Sequence, residues 1–175
     1  MRKQELLDAL LANHKHFLVT LETLSNEELV TAPTGKWTAL QQLDHLRITL
    51  DAVNLVFKFP FFIVKWYFGK ANRPSKTYEE FVAKYQMKAA NNTAAGLEKY
   101  APKVKTLKEY AFLIKALEKS VAKMHKGINE KTEAQFEELM LPHPLVGRGT
   151  LREMLYFSVY HPLHHEKLVK QYLGK

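Results

Sequence analysis

The 175-residue sequence predicts an all-α protein, a four-helix bundle with an elaborated connection between its second and third helices. Three observations carry this prediction. Apolar residues recur at spacings of three and four along four long stretches, the period of one helix face. Strand-type alternation is scarce. Serine or threonine followed three residues later by glutamate or glutamine opens several stretches, the capping-box signature of a helix start. Amphipathic helices with no sheet to pack on bury their stripes against one another, and the length suits a single domain, residues 1–175.

The first helix is expected over residues 3 to 24, where Leu7, Leu10, His14, Phe17, Leu21 and Leu24 share a face. Ser25 to Leu29 reads as a capped short turn of helix, ended by Pro33, Thr34 and Gly35. Thr38 caps the second helix, with Gln41 as its capping-box partner. Its stripe is Ala39, Leu43, Leu46, Leu50, Val53 and Phe57. His45 flanks that stripe on a row with Gln42, Thr49, Ala52 and Val56, and Pro60 stops or kinks the helix.

Residues 58 to 102 form the connection. Phe59, Phe61, Phe62, Trp66, Tyr67 and Phe68 crowd together, and burial within the domain is expected for them, although the same crowd offers a surface for a homodimer. Gly69 to Pro74 reads as a loop, followed by a weaker helical stretch from Thr77 to about Tyr100, interrupted by Asn91 and Asn92. The third long helix, about residues 106 to 128, aligns Leu107, Tyr110, Ile114, Leu117, Val121, Met124 and Ile128, with lysines on the other side. Thr150 and Glu153 cap the last helix, whose stripe runs Leu151, Met154, Ser158, His161, His165, Leu168 and Tyr172. Pro162 within it predicts a kink at Ser158.

The chain has no cysteine, which excludes disulfides, thiolate metal sites and cysteine nucleophiles. A metal site must therefore use histidine and carboxylate. The net charge of +8 comes largely from lysines between Lys99 and Lys131, without an arginine cluster or interleaved aromatics. That pattern is a solvated helix face; no nucleic-acid partner is expected, while the charge favours an anionic small substrate by steering. The N-terminus has no apolar signal core, and the run from Leu55 to Phe68 is broken by Lys58, Pro60 and Lys65. A cytoplasmic protein with no membrane partner is the expectation.

His161 and His165 are four residues apart, so on a helix they project from one face and can ligate one metal ion. Pro162 stands where a zinc protease of the His-Glu-x-x-His type needs glutamate, so that class is excluded. A third ligand is offered by His14 or His45. Periodicity slightly favours His14 and does not settle the choice. His16, His125 and His143 fit no inward stripe and read as surface residues.

Two segments carry a family resemblance. Trp37-Thr38-Ala39-Leu40-Gln41-Gln42-Leu43-Asp44-His45-Leu46 is similar to the tryptophan-led second helix of the DinB/YfiT-like superfamily of metal-dependent four-helix bundles. His143-Pro144-Leu145-Val146-Gly147-Arg148-Gly149-Thr150, followed by His161-Pro162-Leu163-His164-His165, resembles a subgroup in which such a loop leads into a histidine-bearing final helix. The resemblance implies a three-histidine metal site at His45, His161 and His165, with His164 a neighbour. The glutamine often found three residues after the histidine pair is replaced here by Leu168.

Three neutral imidazoles suit zinc or nickel and leave a coordination position open. Gln41, Gln42, Asp44, Glu153 and Glu166 are candidates to orient the ligands, and His14 is a further pocket candidate. His143 and Arg148 are placed to contact an anionic substrate at a pocket mouth. The resemblance implies a metal-dependent transferase using a low-molecular-weight thiol, or a hydrolase, acting on a small-molecule substrate. The alternative is a non-enzymatic metal-binding stress-response module, for which Pro162 and Leu168 argue.

Overall fold

Reciprocal capping boxes fix the helix starts. The Thr38 hydroxyl accepts the Gln41 N–H at 3.2 Å while the Gln41 carboxamide accepts the Thr38 N–H at 3.0 Å. Ser25 with Glu28 and Thr150 with Glu153 make the same exchange. Each such cap is worth about 1 kcal/mol of helix stability. The computed structural model describes residues 1–91 and 97–175. In chain order its elements are α1 (Lys3–Glu22), α2 (Asn26–Val30), α3 (Ala39–Lys58), α4 (Phe61–Phe68), α5 (Tyr78–Asn91), α6 (Tyr110–Asn129), α7 (Glu133–Phe136), β1 (Met140–His143), β2 (Gly147–Thr150) and α8 (Leu151–Tyr172). Single 3₁₀ turns lie at Leu97–Tyr100 and Leu107–Glu109. The expected interruption runs from Asn91, the last residue of α5, to Asn92, which lies outside the described residues.

The four long helices form the bundle. α1 packs against α6 and α8, and α3 packs against the same two, so α1 and α3 occupy opposite corners. The core between them is aliphatic, with Leu10 and Phe17 from α1, Leu43 and Leu46 from α3, Leu117 and Met124 from α6, and Leu155 and Val159 from α8. Gly127 brings α6 close to α3: a β-carbon there would stand 2.4 Å from Phe57 Cγ. The lysines Lys115, Lys119, Lys123 and Lys126 lie on the solvent side of α6.

Two expectations are revised. Residues 140 to 150 form a hairpin rather than a loop, β1 antiparallel to β2 with Met140 opposite Thr150 and His143 opposite Gly147. Strands of four residues containing a proline and two glycines are too short to show alternation. The aromatic crowd is not buried: Phe62, Trp66 and Tyr67 are 72%, 84% and 74% exposed. α4 is eight residues long and apolar nearly all round, and Val64 is its one buried side chain. α8 runs unbroken from Leu151 to Tyr172 with Pro162 in its interior. Proline leaves the Ser158 carbonyl without its helical donor, and beside it Asn13 of α1 donates to the Val159 carbonyl at 2.9 Å.

The connection is tied to α8. Arg73 forks onto Glu153 at 2.6 and 2.7 Å, Ser75 contacts Thr150 at 2.6 Å, and Arg148 reaches back to the Phe68 carbonyl. α5 packs along α8. The hairpin, α4 and α5 are thereby held over the α3–α8 edge of the bundle. Among the described residues no helix is long and apolar enough to cross a membrane.

Candidate metal centre

α3 carries Gln42, His45 and Thr49 at spacings of three and four, a row that faces α8. α8 supplies His161 and His165, one turn apart. All five side chains are buried. One ring nitrogen from each of His45, His161 and His165 lies within 4.8 Å of the others.

Hydrogen bonds decide which nitrogens these are. His45 Nδ1 lies 2.8 Å from the Tyr100 carbonyl, which can only accept, so His45 carries its proton on Nδ1. The Thr49 hydroxyl lies 3.0 and 3.1 Å from the His45 and Leu46 carbonyls and directs its hydrogen to them. Its lone pair then accepts the His161 Nδ1–H at 3.2 Å. The Gln42 carboxamide oxygen accepts the His165 Nδ1–H. Each imidazole therefore presents a bare Nε2, and Nε2 of His161 and His165 stand 2.8 Å apart.

Two nitrogen lone pairs at that separation repel unless something positive is shared between them. Burial, reinforced by the neighbouring histidines, holds His161 and His165 well below the usual imidazole range, so neither is protonated near neutrality. Burial also lowers His45, partly opposed by its bond to the Tyr100 carbonyl and by Asp44. Three neutral, pre-oriented Nε2 donors fit a divalent cation, each with the outer hydrogen bond that metal-binding histidines use. The Trp37 ring, 4.8 Å from His45 and stacked 6.5 Å from His165, covers the cluster on one side.

On another side the cluster opens to a cavity of about 640 Å³. His45, Thr49 and His161 form part of its wall; Val56, Phe59, Trp66, Tyr67, Met154 and Phe157 make the wall largely apolar. Among the described residues it contains no carboxylate. The exposed aromatics of α4 are thus partly a cavity wall, which is why they do not pack into the core.

A family model described as the DinB superfamily matches residues 9–169. The chain belongs to that superfamily. Two solved structures share its fold. One is YfiT from Bacillus subtilis, described as a probable metal-dependent hydrolase with an unusual four-helix bundle topology, at a TM-score of 0.62 and 18% identity over 99% of this chain and 88% of that one. The other is a conserved protein of Enterococcus faecalis, also at 0.62 and 18%, over 100% of this chain and 99% of that one. No curated protein matches the chain. The YfiT-like bundle is the architecture described above, and its three-histidine cluster fits metal binding by this DinB-superfamily chain.

Of the other candidates, Gln42 alone holds a cluster histidine directly. Gln41 is occupied in capping α3. Asp44 turns to Arg47 and Lys105, at 2.7 and 3.0 Å. Glu153 lies eight residues, roughly 12 Å of helix, before His161 and binds Arg73. Glu166 faces Thr20, His16 and Lys170. His14 bonds the Leu10 carbonyl at 2.8 Å on α1, and burial lowers its pKa to about 4. Arg148 does not reach the cavity as a free cation, because its guanidinium holds the Phe68 and Met140 carbonyls. His164 packs between the Tyr85 and His165 rings, at 5.4 and 5.1 Å. His143, read as a surface residue from its stripe, is buried beside Phe157, because the hairpin folds it inward. Thr49 and Tyr100 went unassigned. Thr49 sat one turn after His45, a usable signal; Tyr100 acts through its carbonyl and gives none.

Proposed function

We propose that the protein is a divalent-metal-dependent enzyme, a low-molecular-weight-thiol transferase or a hydrolase, acting on a small, largely apolar molecule. The observation that carries this reading is the convergence of three bare Nε2 atoms beside an apolar cavity that His45 and His161 help to line. Three imidazoles suit zinc or nickel and leave a position for a ligand from the cavity. A cation held there supplies Lewis acidity. Gln42, Thr49 and the Tyr100 carbonyl orient the three rings, Trp37 shields them, and the aromatic wall excludes water from an apolar substrate.

The absence of a carboxylate from the described cavity wall favours thiol transfer over hydrolysis. A carboxylate base assists metal-dependent hydrolysis by drawing the proton from the attacking water, and among the described residues that wall has no acidic side chain. Thiol transfer needs the thiol ionised, and the exposed Lys99 on the wall favours an anionic thiol cofactor.

The test is turnover of aryl esters, and of aryl electrophiles supplied with low-molecular-weight thiols, by zinc- and nickel-loaded protein. Metal-dependent turnover that is lost in His45→Ala supports the reading. Full metal occupancy with no turnover on either panel contradicts the enzyme reading and leaves a metal-binding module.

A further inference from the structure

His143 ends β1, and the hairpin turn folds back over its ring. The backbone N–H groups of Leu145 and Val146 point at His143 Nδ1, at 3.1 and 3.3 Å. A backbone N–H can only donate, so Nδ1 must be the bare nitrogen and the proton must sit on Nε2. This is the opposite tautomer to the three cluster histidines, imposed by the turn.

The side chain is 9% exposed and lines the cavity, with its ring against Phe157 at 4.5 Å and Tyr85 at 6.3 Å. Nε2 makes no hydrogen bond with any described residue and is not among the atoms sealed from open space. The Nε2–H therefore opens on the cavity without a protein partner, free to donate to water or to a ligand bound there. Burial and the nearby Lys84 lower the His143 pKa to about 4, so no cation forms here near neutrality. Tyr85 lines the same wall, and burial raises its pKa, keeping its hydroxyl neutral as well.

We propose that His143 is a fixed, neutral Nε2–H donor that selects substrates bearing an uncharged carbonyl-type oxygen on an apolar body. This replaces the expected contact with an anion, since neither His143 nor Arg148 offers the cavity a free positive charge. It deepens the proposed enzyme function and rests on the cavity being the substrate site, but it does not depend on a metal being bound.

The experiment uses metal-free protein and two probes of similar size, acetophenone and ethylbenzene. Nitrogen-15 NMR of labelled histidine is expected to show the His143 proton on Nε2, shifting on addition of acetophenone and not of ethylbenzene. The ketone is expected to bind roughly three- to tenfold tighter than the hydrocarbon, the range of one neutral hydrogen bond. In His143→Asn the carboxamide oxygen still accepts from the turn, while its NH2 ends one bond short of the Nε2 position and no longer places a donor there. The ketone preference is then expected to vanish while ethylbenzene binding persists. A proton on Nδ1, failure of the ketone to bind, or a preference that survives in His143→Asn each overturns the proposal. If that variant does not fold, the wild-type tautomer and the probe-induced shift decide alone. Metal binding at the three-histidine cluster is a separate readout, so loss of either proposal leaves the other standing.

Discussion

Replacing Gln42 by leucine removes the acceptor that fixes His165 and changes little else. Gln42 is 1% exposed, and leucine approximates its volume without a polar atom. The His165 Nδ1–H is then buried without a partner, which costs about 1–3 kcal/mol. The ring loses both its orientation and the tautomer that bares Nε2. Removing such an outer partner lowers metal affinity about 10- to 100-fold, or roughly 1.4 to 2.7 kcal/mol, within the range set by the unpaired N–H. Gln42→Glu keeps an acceptor oxygen and adds negative charge near the cation, so its affinity is expected to match or exceed wild type. Competition against a chromophoric chelator gives the affinities, and thermal unfolding in excess chelator reports separately on the fold. Wild-type affinity in Gln42→Leu refutes the assignment of Nε2 as the ligand atom of His165.

Further outcomes follow from the same geometry. His14, His143 and His164 have folded pKa values of about 4 against an ordinary 6.5, so the unfolded chain takes up protons first as pH falls. Stability of the metal-free protein is thus intact above 6.5 and is lost between 6.5 and 4, at about 1.4 kcal/mol per pH unit for each histidine; urea midpoints unchanged from pH 7 to 5 contradict this. Gly127→Ala drives a β-carbon into the Phe57 ring and is expected to cost about 1–3 kcal/mol, with partial rescue by Phe57→Leu; an unchanged melting temperature contradicts the close α3–α6 approach. Excess zinc at 100 times its dissociation constant is expected to stabilise the wild-type fold by about 2.7 kcal/mol, and to leave His161→Ala unmoved.

The bundle was legible in the sequence because its determinants are local. Capping boxes at Thr38 and Thr150 and stripes such as Leu117–Val121–Met124 depend on residues within a turn or two of one another. His161 and His165 were readable for the same reason, since a spacing of four is a geometric statement. His45 was not separable from His14 by periodicity, because both sit near an apolar stripe and both are buried. Both α1 and α3 pack on α8, and the difference lies in which ring comes within reach of His161 and His165, a property of the assembled bundle; the family resemblance supplied it. The hairpin and the tautomer of His143 were illegible because four-residue strands carry no pattern and the deciding N–H groups are main-chain atoms. The exposure of Trp66 and Tyr67 was missed because aromatic content implies burial only where a partner surface exists, and α4 has one on a single side.

The most direct test is the metal content of protein purified without a histidine tag and then equilibrated with zinc or nickel. The three convergent Nε2 atoms predict one tightly held divalent ion per chain, lost in His45→Ala and in His161→Ala and retained in His14→Ala. Protein that stays metal-free at saturating metal, or that keeps its ion when His45 and His161 are both replaced, contradicts the assignment of this cluster as a metal centre.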